Sequence, residues 1–319
     1  MKVVREPENG GTERRAVVTV GTFDGVHRAH REILREVRER AAARGGRSVV
    51  VTFDPHPKEV VDSTRGPVQL LTTAEERLEA LQEAGIDLVF LLAFTREFSR
   101  QSAREFYTRH VVAPLGAAEV VVGYDHMFGR DRTAGIDELA AMGREMGFAV
   151  HAVPPFRVDG EIVSSTLVRR AVEAGDVERA ARLLGAPYML RGTVVAGDGR
   201  GRTIGWPTAN LAPSSPRKLL PGNGVYLVRV EGEGVTRHGM ANVGVRPTVG
   251  EGLARGVEAH LFDLDRDLYG AVLTVAFLGR LRDERRFGSL DELKSQLARD
   301  REQAQALLDA AAARQPEIR

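Results

Sequence analysis

The chain has 319 residues, 45 basic against 44 acidic side chains, and no cysteine. This length predicts about two domains, while the balanced charge excludes a general attraction to nucleic acid or to membranes. The lack of cysteine excludes disulfides, thiolate metal sites and cysteine nucleophiles. The longest apolar run, Leu88 to Phe94, is too short to cross a bilayer, and the polar start predicts no secretory signal. We therefore expect a cytoplasmic protein; the sequence carries no signal for an oligomeric state.

The first half of the chain alternates short apolar runs with helix-like segments. Strands are predicted at Ala16–Val20, Ser48–Phe53, Asp87–Ala93, Glu119–Val122 and Phe148–Val153. After the first strand, apolar residues recur at helical spacing until Gly45, and Thr73 with Glu76 forms a capping box that opens a second helix. A third helix is predicted around Ala103–Val112. Strands of this kind separated by helices indicate a doubly wound α/β domain with a parallel sheet.

The second half is rich in valine, threonine and glycine. Two short helices come first, and the second is predicted from Asp176 to Gly185. Strand-like runs then follow at Tyr188–Val195, Gly224–Val230, Gly239–Val245, Val257–Phe262 and Ala271–Phe277. Short strands at this spacing predict an antiparallel barrel or sandwich. We place the domain boundary between residues 186 and 187, giving domains 1–186 and 187–319.

A C-terminal helix is predicted from a second capping box, formed by Ser289 and Glu292. One face of this helix would carry the apolar side chains of Leu290, Leu293, Leu297 and Leu307. We expect this face to pack against the β-rich domain.

The segment GTFDGVHRAH, residues 21–30, leaves the first strand and enters the first helix. Ligands bind at the carboxyl ends of parallel strands, and a helix start offers unpaired N–H groups to phosphate oxygens. His27 and His30 share one helical face and can donate hydrogen bonds to a polyphosphate there. Either histidine alone would more commonly be a surface or core residue. Three further motifs follow in chain order: TFDPHP at 52–57, VGYDHMFG at 122–129 and VSSTLVR at 163–169.

Together these motifs resemble those of the bacterial bifunctional riboflavin kinase/FMN adenylyltransferases, within the nucleotidyltransferase superfamily. The resemblance implies transfer of AMP from ATP to FMN, with catalysis by His27, His30 and Arg169. Residues implied to contact ATP are Gly21, Phe23, Asp24, His27, His30, Asp125, Ser164, Ser165, Thr166 and Arg169. Residues implied to contact the flavin are Asp54, His56, Pro57 and Phe128. The chain departs from the family pattern at Ala29, usually glycine, and at His126 and Met127.

A second glycine-rich segment, GDGRGRTIGWPTAN at 197–210, lacks the Gly-Lys-Ser/Thr ending of a P-loop. Its latter part closely resembles the riboflavin kinase signature, with Trp206 where Phe or Tyr is usual. The resemblance implies an ATP site at Gly201, Arg202, Thr208 and Asn210. The last two would also bind Mg²⁺, which prefers oxygen donors.

The stretch VEAHLFDLDRDLYG, residues 257–270, resembles the part of that family that carries a catalytic glutamate. The glutamate falls on Glu258, which would accept or orient the proton of the riboflavin 5′-hydroxyl. Without this context, a glutamate that alternates with apolar residues is more commonly a surface residue. The stretch LRDERRF at 281–287 also matches, which implies flavin contacts at Arg282 and Phe287.

The resemblance thus implies an α/β domain of the Rossmann-like nucleotidyltransferase type, followed by a small antiparallel riboflavin kinase β-barrel with a C-terminal helix. The implied reactions are phosphorylation of riboflavin to FMN and adenylylation of FMN to FAD, with Mg²⁺ and with ATP as co-substrate. Two alternatives stay open. One is a riboflavin kinase with an impaired adenylyltransferase module, which Ala29, His126 and Met127 motivate. The other is a non-catalytic flavin- or RNA-binding protein, although single-strand RNA sites combine a basic groove with aromatic rings that are scarce here.

Overall fold

The computed structural model describes residues 1–6, 15–61, 68–127, 135–197, 201, 204–247 and 253–314. The chain divides by its spatial contacts into two compact units, Met1–Ser165 and Thr166–Arg319. The sequence-based boundary between residues 186 and 187 lies after this division and stays a prediction.

A parallel sheet forms the centre of the first unit. Its six strands are β1 (Lys2–Val4), β2 (Ala16–Val20), β3 (Ser48–Asp54), β4 (Leu88–Ala93), β5 (Ala117–Gly123) and β6 (Ala149–Val153). They lie in the order β1-β4-β3-β2-β5-β6, and every neighbouring pair is parallel. The parallel α/β sheet expected from the sequence is confirmed. The edge strand β1 was not predicted, because its three residues are too few to form an apolar pattern in the otherwise polar start of the chain.

Helices connect these strands. They are α1 (Arg28–Ala43), α2 (Pro57–Val61), α3 (Ala74–Glu83), α4 (Ala103–Phe106), α5 (Ala113–Leu115) and α6 (Ile136–Met146). The capping box that opens α3 is present, with both of its hydrogen bonds formed. The single helix predicted around Ala103–Val112 is instead α4 continued by a π-helix at Tyr107–Val112. A short hairpin of β7 (Arg157–Val158) and β8 (Glu161–Ile162) follows β6.

Each face of the parallel sheet carries its own apolar core. Alternate residues of β3 show why: Val49 and Val51 belong to one buried cluster, whereas Val50 belongs to the other. Helix α1 covers the second face with Leu34 and Val37. Strands buried on both faces have near-continuous apolar sequences, and this is the pattern that identified the fold class.

A closed antiparallel barrel forms the centre of the second unit. Two helices, α7 (Ser165–Glu173) and α8 (Val177–Leu184), precede its six strands. The strands are β9 (Tyr188–Val195), β10 (Ala209–Pro213), β11 (Gly224–Gly232), β12 (Val235–Pro247), β13 (Leu253–Leu261) and β14 (Val272–Arg282). Their order is β10-β13-β12-β11-β14-β9, and β9 pairs with β10 to close the ring. The structure thus decides for a barrel rather than a sandwich, and adds β10, which was not predicted.

The C-terminal helix α9 (Leu290–Arg314) forms as expected but presents a different face. Leu290 and Leu307 are exposed, at 63% and 42%, so assigning them to a packed face was wrong. The buried positions of α9 are Asp300 and Ala304, both at 0% exposure. The capping box is also only half formed, since the Glu292 carboxylate accepts from the Gly288 N–H rather than from Ser289.

We predict that Gly192→Ala destabilises the barrel by about 1 to 3 kcal/mol, the usual cost of overpacking. A Cβ atom at Gly192 on β9 would lie 2.6 Å from the carbonyl oxygen of Ala212 on β10, so the two strands would have to move apart where the barrel closes. Urea unfolding followed by the fluorescence of Trp206, the one tryptophan of the chain, measures this. Thr193→Ala, at the exposed neighbouring position, is the control, and equal midpoints for the two variants would contradict the prediction.

Candidate functional site

The loop after β2 lies at the point where the order of the parallel sheet reverses, because β2 has β3 on one side and β5 on the other. Open α/β sheets bind ligands at such a point. Phe23, Gly25 and Val26 all have positive φ angles, of 50°, 86° and 37°. This conformation brings the chain sharply from the end of β2 into the N-terminus of α1. The N-terminus of α1 therefore opens at the carboxyl edge of the sheet.

His27 and His30 form a stacked pair at the start of α1. The His27 side chain caps the helix, since its Nδ1 accepts a hydrogen bond from the His30 N–H at 3.3 Å. The two rings lie 3.6 Å apart and 12° from parallel. Because Nδ1 is an acceptor, the proton of the neutral His27 ring must lie on Nε2.

Burial keeps both imidazoles neutral in the free protein. It lowers the pKa of His27 to about 4, against a weaker opposing effect of the Asp24 charge. Burial also holds the pKa of His30 well below its usual value, and the neighbouring His27 adds to this shift. In this neutral state the two rings can donate hydrogen bonds but carry no positive charge. A polyphosphate bound nearby would raise both pKa values and favour their charged forms.

Asp24 and Ser165, both predicted ATP contacts, support the loop itself. The buried Asp24 carboxylate accepts hydrogen bonds from the N–H groups of Leu71 and Thr72, at 3.3 and 3.0 Å. The Ser165 hydroxyl donates to the Asp24 carbonyl oxygen at 3.0 Å. Gly21 packs against the ring of Phe23, where a Cβ atom would lie 3.1 Å from the ring edge.

Arg77 on α3 is a further residue of this edge that the sequence analysis missed. Arg77 is 3% exposed, and its guanidinium donates to the carbonyl oxygens of Thr22 and Phe53, at 3.1 and 2.8 Å. It therefore ties the loop after β2 to the carboxyl end of β3. Burial lowers the pKa of Arg77, and the nearby carboxylates of Asp24 and Asp54 oppose that effect. One signal was available: Arg77 lies four residues before the buried Leu81, on the same helical face.

The predicted flavin contacts lie at the same edge: Asp54 is the last residue of β3, and His56 and Pro57 follow it. His56 is buried, and its Nδ1 accepts from the Lys58 N–H at 3.2 Å. Asp125 is exposed just beyond the end of β5. Phe128 lies outside the described residues.

Thr166 and Arg169, the remaining predicted residues of this site, lie on α7 and Ser164 directly precedes that helix. Since α7 from Thr166 onward belongs to the second unit, the proximity of Arg169 to the two histidines stays a prediction.

A polar row runs across the outer face of the barrel. Glu258 on β13 pairs with Asn210 on β10 and with Asn242 on β12. Directly paired side chains on neighbouring strands lie about 5 Å apart, on the same face of the sheet. The adjacent residues Val257 and Ala259 are fully buried, which places the polar row on the face opposite to the barrel interior. Register thus brings the predicted base beside a predicted Mg²⁺ ligand, and adds Asn242, to which the sequence analysis assigned no role.

The same row continues to Arg282, because Asn242 pairs with Val225 and Val225 pairs with Arg282. The Arg282 guanidinium binds the buried carboxylate of Asp300 on α9, with N–O distances of 2.8 to 3.0 Å. It also lies 5.6 Å above the ring of Phe287. Arg282 is therefore held in place by Asp300, a residue that no sequence pattern pointed to.

The turn before β10 completes this second site. The Gly201 carbonyl oxygen accepts from the N–H groups of Ile204 and Trp206, at 3.2 and 2.8 Å, while Arg202 lies outside the described residues. Within the described ranges, no group of three or more His, Cys, Asp or Glu side chains could hold a metal. The oxygens of Thr208 and Asn210 still suit Mg²⁺, which is commonly bound by one or two protein ligands together with waters and substrate phosphates.

Two family models match the chain without overlap. One, described as FAD synthetase, matches residues 10–167, and the other, described as riboflavin kinase, matches residues 184–308. Curated relatives named bifunctional riboflavin kinase/FMN adenylyltransferase match along nearly their whole length. The Pseudomonas fluorescens relative is 43% identical and the alignment covers 96% of this chain and 98% of that one. For the relative from Escherichia coli (strain K12) the identity is 39%, with coverages of 94% and 96%.

A solved structure from Streptococcus pneumoniae is also similar to this chain. It is 34% identical, has a TM-score of 0.85, and the match covers 95% of this chain and 98% of that one. That structure is titled a macrolide-efflux protein. Among the described residues of the present chain, no helix is long and apolar enough to cross a membrane.

We predict that the His27 ring makes folding less favourable in acid. Below pH 6.5 the unfolded chain binds a proton at His27, whereas the folded chain does so only near pH 4. Stability is therefore lost as the pH falls, by about 3 kcal/mol between pH 6.5 and pH 4. His27→Asn keeps a capping acceptor but cannot titrate. Between pH 6.5 and pH 4 its free energy of unfolding should therefore fall by about 3 kcal/mol less than that of the original protein. Urea unfolding followed by circular dichroism at the two pH values measures this. Parallel losses in both proteins would contradict the prediction.

Proposed function

Because the chain belongs to the bifunctional riboflavin kinase/FMN adenylyltransferase family, we propose that it makes FAD from riboflavin in two ATP-dependent steps. The C-terminal part would phosphorylate riboflavin to FMN, and the N-terminal part would adenylylate FMN to FAD. The observation that carries this proposal is the match of both family models to separate parts of one chain. ATP and riboflavin are then the substrates, FMN the intermediate and FAD the product.

In the proposed adenylyl transfer, an FMN phosphate oxygen attacks the α-phosphorus of ATP and pyrophosphate leaves. The attacking phosphate is already ionised at neutral pH, so no general base is needed. Catalysis would come from position and charge. The stacked His27 and His30 at the α1 N-terminus support this role, since ring N–H groups and helix N–H groups there can bind phosphate oxygens. Arg169 would add a cation.

In the proposed kinase step, the 5′-hydroxyl oxygen of riboflavin attacks the γ-phosphorus of ATP and ADP leaves. Glu258 would take the hydroxyl proton. Thr208 and Asn210 would hold the nucleotide phosphates through Mg²⁺, which would neutralise charge that develops on them. The pairing of Glu258 with Asn210 supports this assignment, because it puts the base and one metal ligand side by side.

The alternative of a kinase with an impaired adenylyltransferase module rests on Ala29, His126 and Met127. Ala29 is the second residue of α1 and adds only a methyl group. Both histidines keep their stacked arrangement beside it, which favours two working modules.

Chromatography of flavins after incubation with riboflavin, ATP and Mg²⁺ tests the proposal. We expect FAD as the end product and FMN as a transient. Accumulation of FMN without FAD would favour the kinase-only alternative. Unchanged riboflavin would overturn the kinase assignment, and supplied FMN would then test the adenylyl transfer separately.

We predict that Glu258→Gln lowers the rate of FMN formation by about 100-fold or more, since general-base catalysis contributes about that much. FAD synthesis from supplied FMN should stay within about twofold of the original rate, because Glu258 would act only in the kinase step. Both rates are measured by chromatography. Loss of both reactions would refute the assignment of Glu258 to one step.

We predict the reverse for His30→Ala and for Arg169→Ala. Each removes one proposed phosphate contact, so FAD formation from supplied FMN should fall by about 100-fold, while riboflavin phosphorylation continues. Arg170→Ala, at the exposed neighbouring position on α7, is the matched control and should keep both activities. An unaffected FAD yield would remove the substituted residue from the site.

A further inference from the structure

His260 links the proposed kinase base to the turn that precedes the proposed metal ligands. Its Nδ1 lies 2.8 Å from the carbonyl oxygen of Pro207. A carbonyl oxygen only accepts, so Nδ1 carries the proton and donates it to this bond. His260 and Glu258 are two residues apart on β13 and therefore lie on the same face of the strand.

The hydrogen bond from His260 to Pro207 lies where the pairing between β10 and β13 ends. The ladder between β10 and β13 begins with the pair Ala209 and Ala259, so Pro207 and Thr208 lie just outside it. The ring of Trp206 packs against His260 at a centroid distance of 4.8 Å and also contacts the apolar cluster under α9. Gly205, with a φ angle of 83°, allows the sharp turn on the other side. The bond from His260 is thus a side-chain anchor for the segment that leads into β10.

The surroundings of His260 favour its neutral imidazole, in which the bond to the Pro207 carbonyl oxygen places the single ring proton on Nδ1. Burial lowers its pKa, and the charge of Arg301 acts in the same direction. The bond to Pro207 and the charge of Asp263 oppose that effect. Arg301 and Asp263 pair with each other at 2.7 Å, so neither adds a full unpaired charge beside the imidazole.

We propose that His260 is a positioning residue of the kinase step, which holds residues 205–208 so that Thr208 and Asn210 meet the metal–nucleotide. The proposal rests on the function proposed above. It assigns to His260 no contact with substrate and no proton transfer in the reaction. Loss of the bond would let the turn move away from β13, and binding of Mg–ATP would then have to restore its position.

Three substitutions test the role of the donor. His260→Leu removes it, whereas His260→Asn keeps an N–H close to the position of Nδ1. We expect His260→Leu to raise the KM for Mg–ATP in riboflavin phosphorylation by about fivefold, the effect of one lost neutral hydrogen bond, with a smaller change in kcat. His260→Asn should restore the KM to within about twofold. Should His260→Leu fail to fold, His260→Gln, whose amide lies one bond farther out, takes its place with the same expected result.

A spectroscopic measurement separates the anchor from the activity. Trp206 is the one tryptophan of the chain, so acrylamide quenching of its emission reports directly on this turn. Quenching should increase in His260→Leu and return to the original level in His260→Asn. An unchanged KM and unchanged quenching in His260→Leu would overturn the proposal, as would a His260→Asn variant that is as impaired as His260→Leu. A wild-type protein that phosphorylates no riboflavin would refute the proposed function instead, and the quenching comparison would still test the anchor.

Discussion

Packing inside the barrel fixes the register on which the outer polar row depends. Val257 and Ala259 are buried on the inner face of the barrel, at 1% and 0% exposure, and alternation along the strand puts Glu258 between them on the outer face. A slip of β13 by one residue would move the carboxylate into the apolar interior and both apolar side chains out of it. The cost of burying an unpaired charge opposes such a slip. The apolar interior thus keeps Glu258 beside Asn210 and Asn242.

In the first unit, polar contacts hold the loops of the proposed site in position. Parallel pairing gathers the carboxyl ends of β2 and β3 at one edge, but it does not fix the loops that follow them. Arg77 holds Thr22 and Phe53 by their carbonyl oxygens, and Asp24 holds the chain at Leu71 and Thr72. These buried charges are satisfied mainly by backbone groups, which suits loops that must keep one conformation.

Both proposed reactions depend more on the positions of the reacting groups than on proton transfer. Transfer of a phosphoryl or adenylyl group needs in-line geometry and neutralisation of phosphate charge. The start of α1 offers N–H donors and neutral imidazoles, while the barrel face offers amide and hydroxyl oxygens beside one carboxylate. Glu258 is the one residue proposed to accept a proton. Asp300 and His260 extend this principle, since each holds another side chain or turn of the barrel in place.

The sequence by itself determined that an α/β part is followed by a β part, most strand positions, and the segments that carry the family motifs. Local patterns suffice for these features, because apolar periodicity and glycine turns act within a few residues. It left open whether the second part was a barrel or a sandwich, and it wrongly placed Leu290 and Leu307 on the buried face of α9. Only the tertiary structure decided the row of Asn210, Glu258 and Asn242, the Asp300 partner of Arg282, and the bridge made by Arg77. These contacts join residues far apart in the chain, and their geometry follows from strand register and packing that no local pattern records.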